Sequence, residues 1–527
     1  MKRSLQWLQA QRSSTRLSFL LQILCRIGFA LFSLLWTPLL LISMGKSLNG
    51  LFLNFQSITT LGNLGDFGMG GVVNIRTSRL LGQRDEVALK NFLAGARGIF
   101  LAVAALTVAV FWLVSPWLFR TLQFDTDPRT GFLPMLSLVG SVAIGLIVLN
   151  SYINSLNYGV ANLAWPVVPS FMIVQLAILG HWLLARQHAV LWLQYSPYIL
   201  AAILSHVTGW WYLKHSHPSL ASVMPLRFNW KQFADVAGNS FWVYLDIVGT
   251  GIWVATDVFL ITARFGPEII PAYRYNFRLC ELALFVLNSA CLAALPKIAL
   301  WLASPERATR EHGIGEILRL NKFQTFLGCS AALVYLIIND SFMRLWMRGQ
   351  NLQVPLLWQA AFAGVLAITG AGLTPNYVAL RCGDRGIRVT GFVALLAALL
   401  NFGLSFIAME LSPVLGMKFS IFGIAFATVI AASVKFLYLG RFCAREFEIS
   451  SWTLIINNWL LALGAVSFAI LLRWALPQTG AVNIALLVLI QLSAFLAIAR
   501  AAGVGWKDLQ EEKRIFEAMF RSERGDR

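Results

Sequence analysis

Apolar runs of about twenty residues alternate along the chain with short polar breaks, and twenty residues is the length that carries an α-helix across a bilayer. A buried soluble core would show shorter runs interrupted by amphipathic periodicity. The pattern gives fourteen candidate spans, at 19–43, 48–74, 92–118, 132–155, 162–185, 189–213, 236–263, 268–302, 322–345, 354–379, 389–411, 417–440, 452–475 and 481–503. The longest polar breaks are 214–235 and 303–321, too short for an extramembrane domain. The fold class expected is therefore an all-α polytopic membrane protein of about fourteen transmembrane helices.

The break at 214–235 divides the first twelve spans into two sets of six. This predicts an N-lobe at 1–214, a cytoplasmic linker at 215–235, a C-lobe at 236–445, a further helix pair at 446–503 and a tail at 504–527. The tail sets Trp506, Leu509, Ile515, Phe516, Met519 and Phe520 among charged residues, and reads either as an interfacial amphipathic helix or as a solvated one. A faint internal repeat accompanies the division. Leu41-Ile42-Ser43-Met44-Gly45 precedes Asn54-Phe55, and Leu260-Ile261-Thr262-Ala263 with Gly266 precedes Asn276-Phe277. Duplicated bundles of this kind are the usual architecture of secondary transporters, with the substrate site between the halves.

Composition agrees with the membrane reading. Of 527 residues, 58% are hydrophobic and 13% charged, and the mean hydropathy is +0.68. A soluble domain is about a quarter charged. Lysine and arginine fall on alternate connections, about three on one side for each on the other, which by the positive-inside rule puts both termini in the cytoplasm. The net charge of +18 is mostly this signal. A nucleic-acid partner is not expected, because the charges are scattered over short loops; anionic lipid headgroups are the nearer partner. The basic, then apolar, start of the chain reads as an uncleaved first helix.

Six cysteines, at 25, 280, 291, 329, 382 and 443, sit singly, so neither disulfides nor zinc sites are indicated. The pair Asp125 and Asp127 forms a D-x-D, but no second acidic cluster faces it. His215 and His217 lack a third ligand. With no phosphate-binding glycine loop, no ATP-driven pump is read in the chain. No metal, cofactor or enzymatic activity is expected.

The second span carries a recognisable pattern. Leu61-Gly-Asn-Leu-Gly65-Asp66-Phe67-Gly68-Met69-Gly70-Gly71, followed by Arg76, Ser78-Arg79, Gly82 and Asp85-Glu86, resembles the polysaccharide transporters of the multidrug/oligosaccharidyl-lipid/polysaccharide exporter superfamily, which include the lipid-linked O-antigen flippases. Gln83-Arg84 departs from the small or polar pair usual there. Thr256-Asp257, Phe265-Gly266-Pro267-Glu268, Tyr273, and Phe277-Arg278-Leu279, with Pro296 further on, resemble that family's seventh and eighth helices. The resemblance covers spans 1 to 12 in length and order, while its specific residues occupy these two regions. It implies a lipid-linked oligosaccharide as cargo, a bacterial inner-membrane location, a place in O-antigen and lipopolysaccharide assembly, and a glycan polymerase with its chain-length machinery as partners.

A charge within a span costs at least a few kcal/mol and needs a partner, a cavity or a nearby interface. Arg26 on span 1 is either a cavity cation for a diphosphate or a side chain snorkelling to headgroups. Arg274 and Arg278 stand four apart on span 8, hence on one helix face, with Glu281 three beyond Arg278 to neutralise it. Arginine's planar fork suits phosphate oxygens, so these three cations are the candidate diphosphate site. The intramembrane acids are Asp66, Asp246, Asp257 and Glu281. Asp66 and Asp257, at family positions near helix breaks, either support a backbone kink or couple transport to ions; Asp246 is the better coupling candidate. Lys435 is expected near the membrane interface. Glycine and proline breaks are expected on spans 2, 7 and 8.

The function expected is a flippase or exporter of polyprenyl-diphosphate sugar, working by ion- or proton-coupled alternating access. A drug or small-molecule antiporter of the same architecture is the alternative, although cationic drugs call for acidic cavities lined with aromatic rings. A membrane glycan polymerase is the third reading, and it lacks the large catalytic loop such an enzyme needs.

Overall fold

The computed structural model describes residues 2–83, 85–160, 164–221, 230–302 and 306–475. Span 14 and the tail at 504–527 lie outside them. The protein is an all-α polytopic membrane protein, and among the described residues no strand occurs. The helices are α1 (Lys2–Thr60), α2 (Met69–Gln83), α3 (Glu86–Thr121), α4 (Leu133–Gly159), α5 (Ala164–Arg186), α6 (Leu191–Ser216), α7 (Pro218–Ala221), α8 (Trp230–Phe265), α9 (Ile270–Asn276), α10 (Arg278–Leu302), α11 (Arg307–Trp346), α12 (Leu356–Ala379), α13 (Gly383–Glu410), α14 (Ser412–Glu446) and α15 (Asn457–Ala475). Nine helical stretches among the described residues are long and apolar enough to cross a bilayer.

Spans 1 and 2 meet inside α1, where Gly45 breaks the helix at φ 76°, ψ 170°. Gly266, which ends α8, has φ 87°, ψ 164°. The two glycines that mark the sequence repeat thus share one backbone conformation, in a region open essentially to glycine alone. Their asparagines also do parallel work. Asn54, fully buried, donates to Thr262 Oγ1 at 2.7 Å, and Asn276, equally buried, donates to the Leu352 carbonyl at 2.7 Å.

The expected breaks fall unevenly. Span 2 is interrupted by a 3₁₀ turn, Leu61–Asp66, and by Phe67 and Gly68 at φ 51° and 70°. Span 8 is interrupted at Phe277, between α9 and α10. Span 7 is not broken: α8 runs helical through Gly249 and Gly251, since isolated glycines inside a helix weaken it without ending it. Pro296 is likewise carried within α10.

Contact density divides the chain into two units, Met1–Ala272 with Trp346–Arg348, and Tyr273–Leu345 with the chain from Gly349 onward. In the first, Met69, Leu93, Phe100, Ile153 and Leu156 join α2, α3 and α4 in one apolar cluster. Phe55, Phe119, Phe124 and Leu136 build a second cluster around α1. In the second unit α12 is the central helix, buried along nearly its whole length and packed against α10, α14 and α15. A helix apolar on every side, as α12 is, has to be surrounded by protein or lipid.

Candidate functional site

The broken eighth span supplies the most concentrated charge found within a span. Gly266 turns the chain, Pro267–Ile269 form one 3₁₀ turn, and Pro271 enters α9 in its first turn, where a missing N–H does no harm. Arg274 lies in the last turn of α9, Arg278 begins α10, and Glu281 is in the first turn of α10. Glu281 takes one arginine on each oxygen: Oε1 is 3.4 Å from Arg274 Nη2, and Oε2 is 2.5 Å from Arg278 Nη1. All three side chains are half-buried. One carboxylate thus balances two guanidiniums and leaves the group with one net positive charge. A guanidinium carries five N–H donors. Among the described residues neither arginine has another side-chain partner than Glu281.

The segment carrying these charges is fixed from its other face. Asn276 Oδ1 accepts from Asn339 of α11 at 2.8 Å. Tyr273 and Phe277 pack against Phe362 of α12, each with ring centroids 5.1 Å apart. The arginines therefore stand on a braced support, which lowers the conformational cost of meeting a planar anion. The cluster can offer forked donors to phosphate or carboxylate oxygens once Glu281 yields its place.

The remaining candidates stand on other elements. Arg26 lies within α1, but its side chain is outside the described residues. Asp66 supports the break in span 2: its Oδ1 accepts from the Gly68 N–H at 2.9 Å and its Oδ2 from Ser151 Oγ of α4 at 2.5 Å. Asp246 is half-buried on α8, and Asp257 is buried eleven residues further along the same helix. Lys435, expected near the interface, is buried on α14.

The D-x-D pair is a structural feature. Asp127 caps the turn Pro128–Thr130 and is held by Arg129, whose Nε and Nη2 donate to its two oxygens at 3.0 and 2.7 Å. That hydrogen-bonded guanidinium holds the Asp127 carboxyl below the usual range. His215 Nδ1 meets the Trp211 carbonyl at 2.8 Å, and no group of three metal-ligating side chains occurs among the described residues.

Two polar clusters escaped the sequence reading. Asp340 on α11 pairs with Arg473 on α15 and accepts from Gln359 Nε2 of α12 at 2.7 Å. Asp340 lies inside span 9 and could have been found there as an intramembrane acid. In the first unit, Trp210 Nε1 donates to His206 Nε2 at 3.0 Å, which puts the His206 proton on Nδ1, facing Asn150 Oδ1 at 3.0 Å. The Arg97 guanidinium lies 4.9 Å over the Trp210 ring.

No protein-family model and no curated protein matches the sequence. Solved structures do match the fold. The chain is similar to the lipid II flippase MurJ in an inward closed conformation, with TM-score 0.61 and 15% identity over 90% of this chain and 98% of that one. It is similar to a multidrug resistance MATE family transporter of the MOP superfamily in its inward-facing conformation, with TM-score 0.58 and 14% identity over 81% of this chain and 98% of that one. The outward-facing conformation of a MATE transporter matches at TM-score 0.55 and 13% identity, over 83% of this chain and 97% of that one. At such identities the likeness is one of fold.

Proposed function

We propose that the chain is a membrane transporter that moves a polyprenyl-diphosphate-linked oligosaccharide from the inner to the outer leaflet of a bacterial inner membrane. The observation that carries this reading is the Arg274–Glu281–Arg278 cluster. Two braced arginines sharing one carboxylate suit a diphosphate, which accepts forked hydrogen bonds and supplies the negative charge the cluster lacks. A fold similar to that of a lipid II flippase over nine-tenths of the chain supports a lipid-linked cargo.

In this scheme an N-lobe at 1–214 and a C-lobe at 236–445, joined by a linker at 215–235, alternate access to the two sides of the membrane, with both termini in the cytoplasm. Shared backbone at Gly45 and Gly266 supports the underlying repeat. Arg26 adds a cation from the N-lobe. The helix pair proposed at 446–503 flanks the lipid tail. Asp66, Asp246 and Asp257 are the acids available for ion or proton coupling, besides Glu281. Membrane lipids, a glycan polymerase and its chain-length machinery are the partners.

The test is flipping of a fluorescent polyprenyl-diphosphate sugar in proteoliposomes. Arg274→Gln with Arg278→Gln should lower the rate at least about tenfold, a loss of about 1.4 kcal/mol in transition-state stabilisation. The triple variant that adds Glu281→Gln removes the whole cluster without stranding a charge and should be equally slow. Wild-type flipping by either variant would overturn the diphosphate site. A cell that loses resistance to cationic dyes on deletion, yet keeps its surface glycan, would point instead to a drug antiporter.

A further inference from the structure

Gly70 stands in the first turn of α2, where a Cβ would lie 2.7 Å from Ser155 Oγ, 2.9 Å from Asp66 Oδ2 and 3.0 Å from Ser151 Oγ. Three oxygens thus lie within 3.0 Å of one point that only the absence of a side chain keeps free. Ser151 and Ser155 are one turn apart on α4 and share a face. Asp66 comes from the 3₁₀ turn that interrupts span 2, and it is fixed through both oxygens. Its Oδ1 accepts from the Gly68 N–H at 2.9 Å, and its Oδ2 accepts from Ser151 Oγ at 2.5 Å. A serine oxygen that donates its proton to a carboxylate keeps its lone pairs for a second partner. The Ser155 hydroxyl makes no hydrogen bond among the described residues.

The charge at this point is not balanced by the protein. Among the described residues no lysine or arginine pairs with Asp66, and a bare carboxylate within a span is costly. The approach to it is open and polar. Gly71, beside Gly70, has nothing within 4 Å of its would-be Cβ. Ser151, Asn154, Ser155 and Tyr158 recur at helical spacing on one face of α4, and Asn154 and Tyr158 are exposed. Such a polar face is unsuited to lipid tails. Carboxylate and hydroxyl oxygens are ligands for hard cations. One carboxylate matches one positive charge, whereas a divalent ion would leave an excess charge within the membrane.

We infer that Asp66 Oδ2, Ser151 Oγ and Ser155 Oγ bind a small monovalent cation, of the size of sodium, in the space that Gly70 leaves free. The ion sits on the oxygen side of that space, clear of the Gly70 Cα, and ties the interrupted second span to α4. The site stands on its own geometry. Any part in coupling rests on the transport reading above, which counts Asp66 among the available acids.

The experiment follows the thermal midpoint of the full-length protein in detergent as sodium chloride replaces choline chloride at constant total salt. No lipid-linked sugar is present, so the outcome is separate from that of the flipping assay. A ligand that binds the folded state raises the midpoint with its concentration. Sodium should raise it saturably, and choline should not. Ser155→Ala breaks no hydrogen bond among the described residues and should weaken sodium at least about tenfold. Asp66→Asn keeps an acceptor for the Gly68 N–H and should abolish the response. Gly70→Ala, whose methyl group fills the space, should do the same. If either of these two fails to fold, Ser155→Ala still decides. A wild type indifferent to sodium, a Ser155→Ala variant of unchanged affinity, or calcium bound more tightly than sodium overturns the inference.

Discussion

Arg129 donates from Nη1 to the main-chain carbonyl of Met44 at 2.8 Å, while its other two nitrogens grip Asp127. Met44 is the residue before the Gly45 break, so its carbonyl has lost the helical partner it would otherwise have. The connection between α3 and α4 thus caps a helix interrupted 85 residues earlier, and the aspartate aims the arginine that does it. Arg129→Ala removes both functions and leaves Asp127 buried without its counter-ion. A loss of about 1–3 kcal/mol is expected, read as a lower thermal midpoint in detergent. Arg129→Lys keeps the charge without the fork and should restore less than half of it.

The same pair sets an acid limit. Its Arg129 partner keeps the Asp127 carboxyl below the ordinary value. A carboxyl lowered in the folded state stabilises the protein at every pH above its unfolded value, about 3.9, and that contribution is lost as pH falls through the folded value. The midpoint of the wild type should accordingly fall on the acid side of about pH 4. Asp127→Asn should begin lower and lose less over the same range. Parallel curves for the two proteins would refute the assignment.

Glu281 is a competitor for any anion that the arginines bind. Its removal leaves both half-buried arginines without their counter-ion and their donors open to the ligand. Glu281→Gln should therefore bind inorganic pyrophosphate about tenfold more tightly, or about 1.4 kcal/mol, by calorimetry on the purified protein. Unchanged affinity would mean that the arginines hold no anion.

Which parts of this structure the sequence made legible depended on whether the signal was local. The apolar run at 354–379 ends with its helix, α12, Leu356–Ala379, whereas α11 begins at Arg307, well before the run at 322–345, because a helix can continue past the apolar stretch into polar surroundings. Glu281 was found from its spacing on one helix face. Gly45 was legible as a break between runs, although its backbone match to Gly266 was not. Asp340 and Arg473 lie far apart in the sequence, and each alone looks like a residue near a span end. Gly249 and Gly251 misled in the other direction, because glycine permits a break without requiring one.

Asp340 and Arg473 tie α15 to α11, and their side chains are only 23% and 11% exposed. Removing one member of a buried pair leaves the other uncompensated, at a cost of about 3–5 kcal/mol. Asp340→Asn and Arg473→Met should each lower the thermal midpoint strongly. The double variant should lose less than the sum, since it leaves no bare charge. Additive losses would show that the pair has no coupling energy.

Small residues set how closely α11 and α12 approach. A Cβ on Gly370 would lie 2.7 Å from the Gln324 carbonyl oxygen and 2.8 Å from Gly328 Cα, and one on Gly328 would lie 2.8 Å from Gly370 Cα. All of these are backbone atoms, so the two helices would have to separate to admit a methyl group. Lipid chains are as apolar as the side chains they would replace, so this close contact is what favours helix–helix packing here. Gly464 on α15 has nothing within 4 Å of its would-be Cβ. Gly370→Ala should thus destabilise by about 1–3 kcal/mol through overpacking. Gly464→Ala should stabilise by about 0.5–1 kcal/mol through backbone entropy alone. Opposite shifts of the thermal midpoint in the two variants are the expected result; equal shifts would mean that the α11–α12 contact is not limited by sterics.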